Sequence, residues 1–531
     1  MSVPSRCTVL VIGGGPGGSY AASVLARDEV DVVLLEADVF PRYHIGESML
    51  ASMRYFLRFI DLEDTFDQYG FVKKYGATFK VTAYDEAYTN FSASLGPGGH
   101  AWNVVRSEAD DLIFKHAAKS GAKTFDGTKV NDIKFVPYEE NDCPEDLEVA
   151  NPGRPVSATW SRKDGTSGTI NFDYLIDASG RAGLISTKYL KNRTVNQGLK
   201  NIANWTYWKA AGPYAPGTER ENSPFFECLS DGSGWCWAIP LHDGTLSVGV
   251  VMRQDLFFNK KKELGSPPSM ELYKELLKGV PHILKLLENG ETAADVKMAS
   301  DWSYSASAYA GPHFRIVGDA GCFIDPYFSS GVHLALTGGL SAAATIQGSR
   351  KGQCSEFSAA KWHTTKVTEG YTRFLLVVMT ILRQLRKQER SVLSDGTENG
   401  FEVCFGLIQP VIQGTADSEA DNSRTQEKAA AGVDYALNRF QADLSVLTPE
   451  NQEHILNKVQ TAGQQTGELE KLTPDEVKVL HNMVRKQLRS TVGDKNLSGI
   501  ANGVLHGYKP IVERGNMGMA KVEVDADGNE M

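Results

Sequence analysis

Short apolar runs separated by glycines dominate the first forty residues of the chain. Residues 8–12 are apolar and mostly β-branched, which is typical of a parallel strand buried on both faces. Residues 13–18 are glycines apart from Pro16, and the small apolar stretch 19–26 predicts a helix packed closely on a sheet. A second apolar run, 30–35, ends at Glu36. The pattern predicts a strand, helix, strand unit at the start of an α/β domain.

The later pattern changes from alternating to helical. Alternation of apolar and polar positions over residues 245–251, within the longer stretch 203–252, predicts a β-sheet that covers the first domain. Residues 357–389 place apolar side chains at helical spacing. The Thr-Pro-acid sequences at Thr448 and Thr473 are typical helix starts, with an N-cap, a proline in the first turn and acids beside it.

These changes of pattern predict two domains. We expect residues 1–345 to form an α/β core with a covering sheet, and residues 346–531 to form a mostly helical domain that caps the substrate site. Polar composition predicts surface loops at 139–154 and 416–431, and an acidic, glycine-containing tail predicts disorder from 522 onwards.

The glycine-rich turn carries the first sign of chemistry. Gly13, Gly15 and Gly18 form a GxGxxG motif after a strand and before a helix, and Glu36 follows about 20 residues on. Glycines allow the backbone to approach a pyrophosphate at a helix N-terminus, where free N–H groups favour negative charge. The alternative is a tight turn without a ligand. The full constellation favours a dinucleotide bound by the turn and Glu36, and we include Gly14 and Gly17 in that site.

The composition of the chain argues against several classes of binding partner and indicates a cellular compartment. The 531 residues carry 55 Lys and Arg against 65 Asp and Glu, a formal net charge of −10, which argues against nucleic acid or an anionic membrane as partner. No apolar run approaches the ~18 residues that a membrane span needs. The seven cysteines show neither zinc-ligand spacing nor a disulfide framework, and no metal site is predicted. The N-terminus lacks the apolar segment of a secretory signal, so we expect a cytoplasmic protein.

Two further strand-to-turn elements indicate whether the bound dinucleotide is a nicotinamide or a flavin cofactor. Residues 314–320 read as a strand ending in Gly-Asp-Ala, and residues 174–180 read as a strand ending in Asp-Ala-Ser-Gly. Both resemble segments of the GR2-type flavin monooxygenases, in which the aspartate equivalent to Asp319 holds the ribityl chain. The resemblance implies a Rossmann-like FAD-binding domain.

Four more segments resemble the flavin-dependent halogenases, and in particular fungal phenolic halogenases of the radicicol-pathway type, which act on polyketides such as resorcylic lactones. They are the PRYHIGES sequence at 41–48, GWCWAIP at 234–240, FIDPYFSSG at 323–331 and NVVRS at 103–107, the last of which resembles a V-x-R helix start found across these flavoproteins in general. The resemblance is clearest up to about residue 345. It implies that Arg42, Glu47, Arg106 and Val332 lie at the FAD, that Trp235, Trp237, Pro326 and Ser329 lie near the flavin, and that Ser330 and Gly331 hold chloride.

Each of these segments also has an ordinary structural interpretation. Trp235 and Trp237 share one face of a strand, where tryptophans most often pack in a core. A serine before a helix is a common N-cap. Ser107 and Asp110 have the spacing of a capping box for a helix over 108–119, so Arg106 is expected at a helix start.

A lysine pair supplies the candidate catalytic residue. Residues 71–81 read as a strand with a break at Gly76, and neighbouring strand residues face opposite sides. At most one of Lys73 and Lys74 can therefore face an interior cavity, and most strand lysines are solvated. The halogenases carry their essential lysine one residue before x-Gly-Ala, which selects Lys74. There it would hold and polarise hypochlorous acid, or become a chloramine.

The resemblance implies an enzyme that chlorinates an aromatic ring with reduced FAD, O2 and chloride, the reduced flavin coming from a separate flavin reductase. Tryptophan halogenases carry a glutamate where this chain has Phe328, which favours a phenolic polyketide over an indole. An aromatic hydroxylase on the same scaffold and an inactive flavin-binding pathway partner are the alternatives. The ring carbon, the number of chlorines, bromide use and carrier tethering stay open, and a homodimer is the default expectation.

Overall fold

The computed structural model describes residues 2–81, 86–138, 152–386, 408, 409, 411–415 and 497–522. Within these residues the strands are β1 (Val9–Ile12), β2 (Val32–Leu35), β3 (Val72–Lys74), β4 (Gly76–Lys80), β5 (Glu86–Asn90), β6 (Ala101–Asn103), β7 (Lys123–Phe125), β8 (Thr128–Val136), β9 (Arg154–Arg162), β10 (Ser167–Asn171), β11 (Tyr174–Asp177), β12 (Arg193–Lys209), β13 (Phe225–Cys228), β14 (Gly234–Pro240), β15 (Leu246–Arg253), β16 (Glu291–Thr292), β17 (Lys297–Ala306), β18 (Ala310–Gly311), β19 (Phe314–Ile316), β20 (Tyr508–Ile511) and β21 (Gly518–Lys521).

The α-helices of the same residues are α1 (Pro16–Arg27), α2 (Met53–Phe59), α3 (Glu63–Tyr69), α4 (Ser92–Leu95), α5 (Arg106–Lys119), α6 (Gln254–Glu263), α7 (Ser269–Leu277), α8 (Pro281–Leu286), α9 (Gly331–Arg350), α10 (Glu356–Arg386) and α11 (Ser498–Ala501). Three short 3₁₀ turns lie at Gly180–Ala182, Gly318–Ala320 and Pro326–Phe328, and a π-helical turn lies at Ile185–Tyr189. None of the described helices is long and apolar enough to cross a membrane.

A six-stranded sheet forms the base of the molecule, in the order β18, β19, β11, β1, β2, β7. Its pairs are parallel except for β18 with β19. All four residues of β1 are buried because Val9 and Val11 pack on the helix side, while Leu10 and Ile12 pack on the opposite side against a small three-stranded sheet of β8, β9 and β10. The predicted strand, helix, strand unit is confirmed, and with it the Rossmann-like base.

An eight-stranded sheet covers one edge of this base, in the order β16, β12, β15, β14, β13, β4, β5, with β17 paired to β12. One face carries a core of aromatic side chains that includes Trp235 and Trp237, and the other packs on α6, α7 and α8. The predicted covering sheet is therefore present. The break predicted at Gly76 in the strand over 71–81 lies one residue earlier, at Tyr75, since β3 pairs with β6 whereas β4 belongs to the large sheet.

The division into two domains stays a prediction, because most of residues 387–496 lie outside the described residues. The expected boundary at 345 falls inside α9, which runs unbroken to Arg350 and is followed by α10. The β20–β21 hairpin returns to the base and packs on α9, where a Cβ added at Gly348 would lie 2.3 Å from Met519 Cγ. The predicted loop at 416–431, the helix starts at Thr448 and Thr473, most of the 139–154 loop and the tail beyond Val522 lie outside the described residues.

The predicted capping box is wrong. Helix α5 begins at Arg106, and none of the described side chains caps it. The Asp110 carboxylate instead accepts hydrogen bonds from Arg106 and Arg42. A carboxylate next to two guanidinium groups is engaged by them more strongly than by a neutral amide, because charge-assisted hydrogen bonds are the stronger kind.

Candidate functional site

A cavity of about 580 Å³ lies between the carboxyl ends of the parallel strands and the inner face of the large sheet. This is the edge at which open α/β sheets bind ligands. Of the residues predicted for the site, those that line the cavity are Gly13, Gly15, Gly17, Glu36, Arg42, Glu47, Arg106, Trp235, Trp237, Asp319, Pro326, Ser329, Gly331 and Val332. Gly14, Gly18, Ser330 and Lys74 lie behind this lining.

Some glycines of the turn permit close packing of helix and strand, and another leaves the backbone open to the cavity. Gly13 has a φ of +102°, and a Cβ there would lie 2.2 Å from the Ala178 carbonyl oxygen. A Cβ at Gly18 would lie 2.0 Å from the Gly13 carbonyl oxygen. These two glycines permit the close contact of helix and strand. At Gly15 the nearest atom to an added Cβ is an Arg42 nitrogen at 3.4 Å, so the backbone is open towards the cavity.

Glu36 closes the turn at the end of β2. Its carboxylate accepts from the Gly14 amide at 2.5 Å and from the Asp38 amide at 2.8 Å. A carboxylate has about four acceptor positions, so it retains capacity for a hydroxyl group of a ligand. The turn, the first turn of α1 and Glu36 together have the geometry that holds the adenosine and pyrophosphate of a dinucleotide.

Asp319 and a group of arginines lie farther along the same cavity. Burial raises the pKa of Asp319, while the charges of Arg181, Arg106 and Arg193 act in the opposite direction. Arg106 is 6% exposed and forms a paired contact with Asp110, through Nε at 2.9 Å and Nη2 at 3.0 Å. Burial acts to raise the pKa of Asp110, but the charge and hydrogen bonds of Arg106, together with the charges of Arg42 and His44, outweigh it, and the pKa lies below its ordinary value.

The N-terminus of α9 points into the cavity. Ser329 is in the left-handed region at φ +56°, and Ser330 takes the N-cap position. Within the part of the chain that the structure describes, the buried Ser330 Oγ has no hydrogen-bond partner, and no atom lies within 4 Å of a Cβ added at Gly331. The first turn of a helix also has N–H groups without intrahelical acceptors. Open space, free donors and the helix dipole together suit a small anion.

Two tryptophans of β14 form part of the wall of the same cavity. Trp235 is 2% and Trp237 is 5% exposed, and both face the cavity side, whereas Cys236 between them packs in the opposite core. The predicted alternation is confirmed. Trp205 on β12, which is separated from β14 by β15 in the sheet, also lines the cavity, and its ring centroid is 6.4 Å from that of Trp237.

Lys74 is buried at the end of β3, 2% exposed, while Lys73 is exposed, as strand alternation requires. Its Nζ donates to Ser48 Oγ and to the Met49 carbonyl oxygen, both at 2.8 Å, and lies 5.0 Å from the centroid of the Phe91 ring. Burial lowers the pKa of Lys74 to about 7. Because Ser48 lines the cavity, the lysine reaches the cavity wall through a single hydroxyl group.

Sequence reasoning missed several residues of this site. Ser48, Trp205, Tyr207 and Ser247 contribute to the cavity wall or to its hydrogen bonds. For Trp205 and Tyr207 a signal existed, since they alternate along β12 as the two tryptophans do along β14. For Ser247 no local signal existed, because its partner Glu47 is 200 positions away.

The comparisons with known proteins now decide the family. The tryptophan halogenase family model matches residues 8–141 and 100–350. Sulochrin halogenase gedL of Aspergillus terreus is 66% identical over 534 residues, covering 100% of this chain and 96% of its own. The chain belongs to the flavin-dependent halogenase family. The predicted family, enzyme class and use of FAD, chloride and O2 are thereby confirmed.

Other relatives and structures agree with this. Flavin-dependent halogenase ptaM of Pestalotiopsis fici is 59% identical, covering 98% of this halogenase and 96% of its own chain. Flavin-dependent halogenase rdc2 of Metacordyceps chlamydosporia is 52% identical, covering 98% and 100%. The solved structure of the flavin-dependent halogenase CmlS has a TM-score of 0.67 at 24% identity, covering 100% of this halogenase and 86% of that chain, which shows the shared fold.

Proposed function

We propose that this halogenase chlorinates an electron-rich phenolic carbon of a polyketide. The observation that carries the proposal is the position of Lys74, a buried lysine with a lowered pKa, one hydroxyl group away from the cavity that suits a flavin and a chloride ion. An isolated lysine is costly to bury, so a structural role alone does not account for it.

The residues that would hold the FAD divide by its parts. The glycines of the turn and Glu36 would bind the adenosine and pyrophosphate, and Asp319 would bind the ribityl chain. Arg42, Glu47, Arg106 and Val332 line the remaining part of the same cavity, with Pro326 and Ser329 beside them. When bound and reduced, the flavin supplies two of the four electrons that O2 takes up in the reaction, and chloride supplies the other two.

Chloride would bind at the N-terminus of α9. The donors would be the amides of Ser330 and Gly331 and the Ser330 hydroxyl, which has no partner among the described residues, and Gly331 leaves room for the ion. Trp235, Trp237 and Trp205 wall the cavity and exclude bulk water, so that the hypochlorous acid formed there is kept from side reactions.

Lys74 would carry the chlorine from this cavity to the substrate. A neutral amine reacts with hypochlorous acid to form an N–Cl bond, releasing water. The aromatic carbon then takes the chlorine and the amine nitrogen is restored, while the ring loses its proton. The alternative is that a charged Lys74 polarises hypochlorous acid by a hydrogen bond. The lowered pKa favours the amine form.

A phenol fits the neighbourhood better than an indole. Phe328 is 2% exposed and packs at 5.3 Å, centroid to centroid, on Phe79, so it brings no charge to the site. A phenol activates its own ring carbons and needs less help from a carboxylate. Sulochrin, the compound in the name of the relative at 66% identity, is therefore the first substrate to test.

We also infer a separate flavin reductase as the source of reduced FAD, and a cytoplasmic location. The five cysteines within the described residues are free thiols: Cys7, Cys228, Cys236, Cys322 and Cys354. A homodimer stays a prediction.

The proposal is tested with the purified protein, FAD, a flavin reductase, NADH and sulochrin, with and without chloride, by mass spectrometry. We expect a product with the chlorine isotope pattern that forms only with chloride, and turnover of tryptophan at least about a hundredfold slower. A chloride-independent product that gains one oxygen would make the protein a hydroxylase. Tryptophan chlorinated at the same rate as the phenol would refute the substrate class.

A further inference from the structure

A chain of hydrogen bonds runs from the surface to a buried carboxyl group in the cavity. Tyr43 is half exposed, and its hydroxyl accepts from Trp205 Nε1 at 2.7 Å. The hydroxyls of Tyr43 and Tyr207 are 3.0 Å apart, and the Tyr207 hydroxyl donates to Glu47 Oε1 at 2.8 Å. Glu47 is 2% exposed and lines the cavity. The path from solvent to the buried carboxyl group therefore passes through two tyrosine hydroxyls.

The chain continues on the other side of the carboxyl group. Ser247 Oγ donates to Glu47 Oε2 at 3.2 Å and accepts from Trp237 Nε1 at 3.1 Å. Tyrosine and serine hydroxyls can each donate and accept, so a proton can pass along such a chain by successive transfers. An ordinary structural interpretation is that the chain only holds Trp205 and Trp237 in place.

Glu47 can change its charge near neutral pH. Burial raises its pKa to about 7, against the hydrogen bonds from Tyr207 and Ser247 and the charge of Arg106. The groups that face it are thus Arg106 from α5, Tyr207 from β12 and Ser247 from β15, with Tyr43 on its own segment. His44 also lines the cavity, but the Arg106 charge, with burial, lowers its pKa to about 4, so it is neutral near pH 7.

The chemistry of chlorination requires a proton in this cavity. An aromatic C–H, chloride, O2, reduced flavin with its two hydrogens and one proton give an aromatic C–Cl, oxidised flavin and two waters. O2 accepts two electrons from the flavin and two from chloride. One proton is therefore consumed for each chloride. A chloride ion that enters a cavity beside an ionised carboxylate is also repelled, and protonation of that carboxylate removes the repulsion.

We propose that Glu47 takes up the proton that accompanies chloride into the cavity, through Tyr43 and Tyr207, and holds it for the reaction. The inference rests on the proposed use of chloride, but it concerns binding and can be measured without any phenol. Glu47 is then a proton carrier, and the two tyrosines are its route to solvent.

The test is a chloride titration of the oxidised FAD holoenzyme, followed by flavin absorbance, between pH 6 and 9 at constant ionic strength. If one proton binds with each chloride, the apparent Kd rises about tenfold per pH unit above the pKa of Glu47. In Glu47→Gln, with FAD content matched, we expect a Kd that is independent of pH. In a weakly buffered solution near pH 8, chloride should also cause an uptake approaching one proton in the wild type.

Two further variants keep the test decisive if Glu47→Gln does not fold. Tyr207→Phe retains the carboxyl group but removes a hydrogen bond to its charged form. The onset of the pH dependence should move up by roughly 0.5 to 1 pH unit. Tyr214→Phe removes a hydroxyl from a tyrosine that is stacked on Phe225 and does not belong to the hydrogen-bond chain. This variant should leave the onset of the pH dependence unchanged.

The outcomes separate this inference from the proposed function. A pH dependence of the chloride Kd that persists unchanged in Glu47→Gln overturns the inference and leaves the halogenase function intact. If that pH dependence is instead lost in Lys74→Met, the proton is assigned to the lysine. A wild-type holoenzyme that binds no chloride contradicts both.

Discussion

Lys74 and Arg106 are two buried basic side chains that both donate to one segment, residues 45–49, and their surroundings differ in charge. Arg106 donates to the Ile45 carbonyl oxygen but is neutralised by Asp110. Lys74 donates to the hydroxyl of Ser48 and the carbonyl of Met49, both uncharged. A paired guanidinium stays charged, whereas a buried ammonium among neutral acceptors loses its proton more readily. We infer that Arg106 supplies a permanent charge and Lys74 a reactive amine.

The largest effect should come from giving Lys74 the chemistry of Arg106. In Lys74→Arg the side chain cannot become a neutral amine, so we expect chlorination to fall about 10³-fold. The matched control is Lys73→Arg on the exposed side of the same strand, which should retain wild-type rates. Product is quantified by mass spectrometry at equal FAD content. If the chlorination rate of Lys74→Arg lies within tenfold of the wild-type rate, the reaction does not require an amine at this position.

The converse change takes the partner away from Arg106. Asp110→Asn leaves the guanidinium buried without its carboxylate, and the free energy of unfolding should fall by about 3–5 kcal/mol. The control is Asp111→Asn, whose partner Lys115 is largely exposed, and we expect a loss below about 1 kcal/mol. Urea unfolding of the apoproteins measures both. Equal losses of the free energy of unfolding in the two variants would mean that the buried Arg106–Asp110 pair stabilises the fold no more than the exposed pair does.

The pH dependence of chlorination should report Lys74. Because burial lowers its pKa to about 7, the amine is neutral above that pH and protonated below it. At saturating chloride, which keeps Glu47 protonated, the rate should fall about tenfold per pH unit below 7 and level off above it. His44→Asn should leave this acidic limb in place. A rate that instead falls as the pH rises through 7 would favour a charged lysine that polarises hypochlorous acid.

The smallest effect concerns the hydroxyl between Lys74 and the cavity. Ser48→Ala removes one of two acceptors for Nζ, worth about 1 kcal/mol, so we expect kcat to fall roughly fivefold with little change in KM. Ser94→Ala, which removes a hydroxyl bonded to the Phe91 carbonyl oxygen, serves as the control. An unchanged kcat in Ser48→Ala would mean that this contact does not position the lysine.

The parts of the site that could be predicted from sequence are local ones. The glycine turn and Glu36 follow from a strand, turn, strand unit in which each residue's role depends on its immediate neighbours. The choice of Lys74 as the buried lysine follows from strand alternation combined with one motif. In each case the distance along the chain is short.

The parts that could not be predicted depend on distant partners. Tyr207 and Ser247 reach Glu47 across 160 and 200 positions, and Arg42 reaches Asp110 across 68. The expected capping box failed for the same reason, because the spacing of Ser107 and Asp110 contains no information about two arginines that compete for the carboxylate. The change of pattern predicts a domain boundary at 345, but α9 extends across that position.

Transfer of chlorine to the substrate through Lys74 can be tested in one side-by-side assay. Wild type, Lys74→Ala and Lys73→Ala, at equal FAD occupancy, are given flavin reductase, NADH, chloride and sulochrin, and the products are analysed by mass spectrometry. We expect the chlorine isotope pattern in the products of the wild type and Lys73→Ala, and none above background in those of Lys74→Ala. Chlorinated product from Lys74→Ala at the wild-type rate would contradict transfer through the lysine.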